Sequence, residues 1–173
     1  GEILDDKCGF CLGYSLHDVY SMMKSLQHRG RGAAGIAAIS DSRIDVIKWS
    51  GTVASFDVDD MHKIFPAQNH YHFFMGHVRY PTKGKKDNTF QDAHPHVIGG
   101  NEYQRNGHLL ITDCDMAIVH NGQVNNKYFN ELDKSRLKTE CDTEALLHFY
   151  AQYGELEIQK NIPGAYSLAI ADK

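Results

Sequence analysis

The sequence predicts an α/β (α+β) protein whose layers are built on antiparallel sheets. Three patterns carry that expectation. Apolar strand-like runs come in hairpin pairs, helix-like runs are grouped between the pairs, and no internal repeat or low-complexity segment interrupts them. A doubly wound parallel sheet would need helices and strands to alternate one for one. At 173 residues the chain fits one domain and is long enough to bury a core without disulfide or metal staples.

Taken in order, Tyr14 to Gln27 spaces Val19, Met22, Met23 and Leu26 three to four residues apart after a polar start, the pattern of a helix with one buried face. The His28-Arg29-Gly30 turn ends it. Ala33 to Ile39 is small and apolar, Asp41-Ser42 makes a turn, and Ile44, Val46 and Ile47 resume, which predicts a hairpin. Phe73 to Tyr80 reads as a strand closed by Pro81. Lys83 to Asn88 has the composition of a loop, of the kind that serves as a lid near a site.

Leu109-Leu110-Ile111 and Met116-Ala117-Ile118-Val119 are expected to pair as two strands around Thr112-Asp113-Cys114-Asp115. The second runs into His120-Asn121-Gly122-Gln123, a tight turn whose Gly is expected at positive φ. Lys127 to Leu132 and Asp142 to Tyr153 are helical by pattern, and Ala165 to Ala171 alternates into a closing strand.

Composition excludes several classes. Eighteen basic and twenty-two acidic residues give a net charge of -4, and the Lys and Arg are scattered instead of banded, which argues against a nucleic-acid surface. No run of about 18 apolar residues is available to span a bilayer, and the acidic stretch Gly1 to Lys7 is too short for a secretory signal. A cytoplasmic protein without membrane partners is expected. Cys8, Cys11, Cys114 and Cys141 do not form a secreted disulfide framework, so free thiols are expected.

Periodicity does not say which residues carry chemistry, but an ordered series of local motifs does. Cys8-Gly9-Phe10 is followed by Leu26-Gln27-His28-Arg29-Gly30 with Ala34-Gly35-Ile36, then Gly76-His77-Val78-Arg79-Tyr80-Pro81-Thr82, His120-Asn121-Gly122, Cys141-Asp142-Thr143-Glu144 and Gly164-Ala165-Tyr166-Ser167. This series resembles the class II glutamine amidotransferase domain, over essentially the whole chain. The Leu-Gln-His-Arg-Gly wording is most similar to the purine-synthesis branch, the amidophosphoribosyltransferases. The resemblance implies the four-layer αββα sandwich of N-terminal-nucleophile (Ntn) hydrolases, in agreement with the antiparallel reading.

It also implies roles. Amide hydrolysis needs a nucleophile, a base, an oxyanion site and a grip on the substrate's charged end. By match of motif Cys8 is the nucleophile, and its own α-amine is the base once residues 1–7, a propeptide-like leader, are removed. Asn121 and Gly122 match the oxyanion hole. Arg79 matches the arginine that holds the α-carboxylate of L-glutamine, with Thr82 adding a contact, and Asp142 matches the carboxylate that receives the α-ammonium. Arg29 is expected to brace the nucleophile's surroundings.

The remaining expectations rest on the same resemblance. Residues 8–173 would be the glutaminase domain of a longer, homo-oligomeric chain, passing ammonia to a second synthase or transferase domain. The acceptor there would be phosphoribosyl pyrophosphate, with Mg at that second domain and no cofactor in this one. A glucosamine-6-phosphate synthase-like acceptor domain is the alternative within the family. From a different class, the alternative is a degenerate domain that binds glutamine as a regulatory module, which would need Arg79 and Asp142 but no free amine on Cys8.

Two stretches depart from the family pattern. Ala93-His94-Pro95-His96 stands where a Gln-Pro pair is usual, and the stretch from Arg79 to Asn121 is long enough to carry an additional surface hairpin. Cys8-x-x-Cys11 lacks the second pair of ligands of a zinc site and the βαβ setting of a redox motif, although a Cys8–Cys11 disulfide remains open as a side reaction. His70-x-His72 and His94-x-His96 read as exposed pairs, so no metal is expected in this domain.

Overall fold

The structure, a computed structural model, describes residues 9–29, 31–79, 89–163 and 166–173. Strand β1 (Gly9–Gly13) leads into helix α1 (Leu16–Ser25), which begins where the Ser15 hydroxyl accepts the Asp18 backbone N–H, an N-cap. The hairpin β2 (Ala33–Ile39) and β3 (Ile44–Ser50) follows, then α2 (Val58–Ile64), capped by Asp57, and β4 (Phe73–Arg79). The short α3 (Thr89–Asp92) precedes β5 (His96–Arg105) and β6 (His108–Asn121). Then α4 (Asp142–Tyr153), α5 (Glu155–Asn161) and β7 (Ser167–Asp172) complete the order.

All pairings are antiparallel, in the order β1-β4-β2-β3-β6-β5, with β7 on the other edge of β6. The fourteen-residue β6 belongs to two layers. Its first half, His108 to Cys114, pairs with β3; its second half, Met116 to Asn121, pairs with β7 and passes under β1 and β4. The bend lies where the β5–β6 register shifts between Ile98 and Gly99, with Gly99, Gly100 and Asp113 all at positive φ.

Three apolar clusters follow from strand alternation. Ala34, Ile36 and Ala38 of β2, with Ile47 and Trp49 of β3, face Val19 and Met23 of α1 and Met61 of α2. Ala37, Val46 and Met75 point the other way, onto Ala117 and Val119 of β6 and Ala169 of β7. Ile118, Leu168 and Ile170 form the far face, under Leu146 and Leu147 of α4 and Ile158 of α5. The layers are therefore helix, sheet, sheet, helix: the αββα sandwich. Among the described residues no helix is long and apolar enough to cross a membrane.

The helix over Tyr14 to Gln27, the β2–β3 hairpin, β4 and α4 form as expected, and Gly122 has φ 135°. One pairing is corrected. Leu109 to Ile111 and Met116 to Val119 do not pair with each other; they are two halves of the continuous β6, and both pair with β5. The β5–β6 ribbon, turning at the positive-φ Gly107, is the surface hairpin expected between Arg79 and Asn121. Lys127 to Leu132 holds only a short 3-10 turn over Asn126–Phe129. The expected loop over Lys83 to Asn88 lies outside the described residues.

Candidate active site at the ends of β4 and β6

Three backbone positions converge at one end of the sandwich. Arg79 ends β4, and its residue neighbour Val78 pairs with Gly9, the first described residue of β1. Asn121 ends β6 on the face shared by Ala117 and Val119, and Gly122 turns the chain away. Asp142 opens α4.

Hydrogen bonds lock these ends together. The His77 Nε2–H, two residues before Arg79, donates to the His120 carbonyl oxygen at 3.1 Å, tying β4 to the residue before Asn121. His120 Nδ1 meets Thr143 Oγ1 at 2.9 Å, and the Val124 N–H donates to Asp142 Oδ2 at 2.7 Å. Strand β4, the Asn121-Gly122 turn and the first turn of α4 thus form one frame. Asp142 spends one carboxylate oxygen on that frame, and among the described residues Oδ1 accepts the Cys141 thiol at 3.7 Å.

Arg79 is mostly sheltered, and one guanidinium nitrogen lies 3.8 Å from the Asp92 carboxylate at the end of α3. Arg29 lies against β1: a Cβ added to Gly9 would meet its Cδ at 3.0 Å and its Nε at 3.1 Å. A side chain there would press the Arg29 stem aside by a few tenths of an ångström. Cys8 and Thr82 lie outside the described residues.

Beneath this frame sits a set of buried polar residues that the motif reading left without roles. His77, His94, His96, His120, Thr143, Glu144 and Lys48 are all buried. His77 and His94 stack with ring centroids 3.9 Å apart, and the His94 ring accepts the His120 backbone N–H through Nδ1 at 3.2 Å. Burial removes water from the charged forms, so all four imidazoles are held neutral: His77 is lowered to about 3, and His94, His96 and His120 are lowered as well. Burial likewise lowers Lys48 to about 8 and, with the Asp142 carboxylate beside it, raises the Cys141 thiol.

The His94-x-His96 pair is thus corrected from an exposed pair to a buried one, whereas His70 and His72 are exposed as expected. The rings dock because β2 carries Gly35 opposite them, where a Cβ would strike the His94 carbonyl oxygen.

Comparison with known proteins decides the family. The profile described as a glutamine amidotransferase domain matches residues 104–173. Glutamine–fructose-6-phosphate aminotransferase (isomerizing) of Aquifex aeolicus is 29% identical over 179 residues, covering 94% of this chain and 27% of the relative. Amidophosphoribosyltransferase of Pseudomonas aeruginosa is 27% identical over 150 residues, covering 83% of this chain and 26% of the relative. The chain carries a class II glutamine amidotransferase domain.

The solved structure of the allosteric regulatory enzyme of purine biosynthesis superposes on this domain with a TM-score of 0.61 at 24% identity, covering 95% of this chain and 35% of that one. The Bacillus subtilis glutamine phosphoribosylpyrophosphate amidotransferase gives the same TM-score at 23% identity and the same coverage. Both show that the amidotransferase domain has their fold. It spans between a fifth and just over a quarter of the length of the curated relatives it matches.

Proposed function

We propose that this domain hydrolyses the side-chain amide of glutamine through Cys8. The observation that carries the reading is the hydrogen-bonded frame joining the ends of β4 and β6 to the start of α4. It holds an arginine, an Asn-Gly turn and an aspartate in fixed relation, and these are the groups that an amino-acid amide requires.

In this mechanism the Arg79 fork takes the glutamine α-carboxylate, displacing Asp92, and Thr82 assists. Asp142 Oδ1, which the Cys141 thiol contacts only weakly, takes the α-ammonium. The Cys8 α-amine accepts the thiol proton, and the sulfur attacks the side-chain amide carbon. The tetrahedral oxyanion is held by the Asn121 side-chain amide and the Gly122 N–H. Ammonia leaves with the transferred proton, and water releases glutamate from the thioester. Arg29 acts as a positioning residue, packed against the glycine that follows the nucleophile.

The leader bears directly on this chemistry, because an amide nitrogen in front of Cys8 is not basic. Removal of residues 1–7 is therefore part of the reading. The ammonia would pass to a sugar-phosphate acceptor on a further domain. Phosphoribosyl pyrophosphate is favoured by the Leu26-to-Gly30 wording, and fructose 6-phosphate is the counterpart suggested by the aminotransferase relatives.

The test is an intact-mass spectrum of the untagged natural protein, before and after diazo-oxo-norleucine. A chain that begins at Cys8 and gains one label there, lost in Cys8→Ser, supports hydrolysis. A persisting leader without label would overturn it in favour of a glutamine-binding module. In that case Arg79→Ala would still abolish glutamine binding measured by calorimetry.

A further inference from the structure

We propose that His94, His96 and Cys141 form a binding site for a thiophilic divalent metal ion of the zinc class, directly beneath the glutamine site. One potential ligand atom from each lies within 4.8 Å of the other two. Two come from the turn that opens β5 and the third from the N-cap position of α4, so the site would bridge sheet and helix. Neutral imidazole nitrogens and a thiolate are the donor set that suits zinc. Three protein ligands leave the fourth tetrahedral position for water.

A second observation points to a ligand. His96 is 2% exposed, yet among the described residues its Nε2 has no hydrogen-bond partner. A buried polar atom without a partner is costly, and bound metal is one of the few ways to satisfy a bare imidazole lone pair. His77 Nδ1 and His120 Nε2 are further buried ring nitrogens without a partner among the described residues. The sequence reading excluded a metal on the premise that this pair is exposed, and the premise fails.

Binding is proton-balanced. The Cys141 thiol releases its proton to solvent and the sulfur–metal bond forms, while both imidazoles bind neutral. His94 accepts the His120 N–H through Nδ1, so coordination through Nε2 moves that ring's proton to Nδ1 and releases the His120 amide. The ligand atoms must also draw in from 4.8 Å to reach bonding distances of about 2.0–2.3 Å from a common centre. Both adjustments act on residues next to the site, because His120 precedes Asn121 and Cys141 precedes Asp142. Resting on the glutaminase reading, the metal is therefore an inhibitor that pulls the oxyanion turn and the ammonium-binding carboxylate out of register.

The full-length protein carrying Cys8→Ser, which removes the thiol assigned to hydrolysis, is titrated with Co²⁺ and then with Zn²⁺. One equivalent should give the visible bands of a tetrahedral cobalt site and a thiolate charge-transfer band, displaced by zinc. Cys141→Ser should abolish the thiolate band, and His96→Gln should weaken binding at least 10-fold, while the surface double variant His70→Gln/His72→Gln leaves both unchanged. Zinc should also raise the melting temperature of the Cys8→Ser protein but not that of its Cys141→Ser derivative, which separates loss of the site from loss of the fold. A thiolate band that survives Cys141→Ser, binding unaffected by His96→Gln, or no binding at all overturns the site. Because no glutamine enters these measurements, their failure leaves the hydrolase reading standing.

Discussion

The two faces of the β1-β4-β2-β3 sheet solve different problems with the same alternation. On the α1–α2 side, Val19, Met23, Ile36, Ile47 and Trp49 close into a cluster whose polar atoms are satisfied: the Trp49 indole N–H donates to the Thr52 carbonyl at 2.9 Å and the Tyr20 hydroxyl to the Phe56 carbonyl at 3.0 Å. On the side facing β6 the same strands begin with apolar residues, but towards the site end they carry Lys48 and His77, against His94, His96 and His120. One seam is dry and supplies stability. The other contains buried ring nitrogens that lack partners among the described residues, as expected where a fold gives up stability for a site.

If the dry seam carries the fold, truncating its largest member should cost the most. Trp49→Ala removes a side chain that is 1% exposed together with its indole hydrogen bond. A loss of about 3–5 kcal/mol in unfolding free energy is expected. Urea titration followed by circular dichroism checks it, and a loss below about 1 kcal/mol would mean that the seam is not the stabilising one.

The contact between the seams is next. At Gly35 an added Cβ would collide with the His94 carbonyl oxygen and press on the Pro95 ring, and backbone cannot step aside as a side chain can. Gly35→Ala should destabilise by about 3 kcal/mol, at the upper end of overpacking. Gly76→Ala should cost less, since its Cβ would meet Met23 and Val19 side chains, and Met23 is flexible. The reverse order would show that the His94 turn is loosely held.

Acid separates the seams without mutation. Burial depresses the folded pKa of His77 to about 3, and it lowers those of His94, His96 and His120. Above the unfolded value of about 6.5 both states are neutral, so the full stability is present. As pH falls below that, the unfolded chain binds protons that the native state refuses, and stability drains away towards the folded values. Unfolding free energy should drop by on the order of 2 kcal/mol between about pH 7 and pH 4.5 for His77 alone. A flat profile over that window would place these rings in contact with water.

How much of this was legible beforehand depends on what each element is made of. α4 and the β2–β3 hairpin were readable because a single surface imposes their period. β6 was misread as two paired strands because Asp113 and Cys114 look like a turn; a bend between layers uses the same residues, with Asp113 at φ 57°. β5 escaped because most of it is exposed and little apolar alternation remains. Motif order alone carries the expectation for Arg79, Asn121 and Asp142, and the structure shows hydrogen bonds that join their elements. His94 and His96 could not be read that way, since their burial follows from Gly35 on a strand some sixty residues earlier, a contact that no local pattern encodes.

The smallest effect tests the polar seam most directly. Lys48 is 3% exposed, makes no hydrogen bond or ion pair with any described residue, and lines a small cavity of about 30 Å³ with His96, Thr139 and Glu144. Desolvation outweighs the diffuse attraction of its ammonium to the Glu144 and Glu102 carboxylates, so its pKa falls to about 8. Replacing such a group with an apolar residue of similar length removes the desolvation cost and keeps the packing. Lys48→Met should therefore leave stability unchanged or raise it by about 1 kcal/mol at pH 7, read as a shift in the urea midpoint at constant slope. A clear loss would show that the ammonium is satisfied within that cavity, and the contrast between a dry stabilising seam and a costly polar one would no longer hold at this residue.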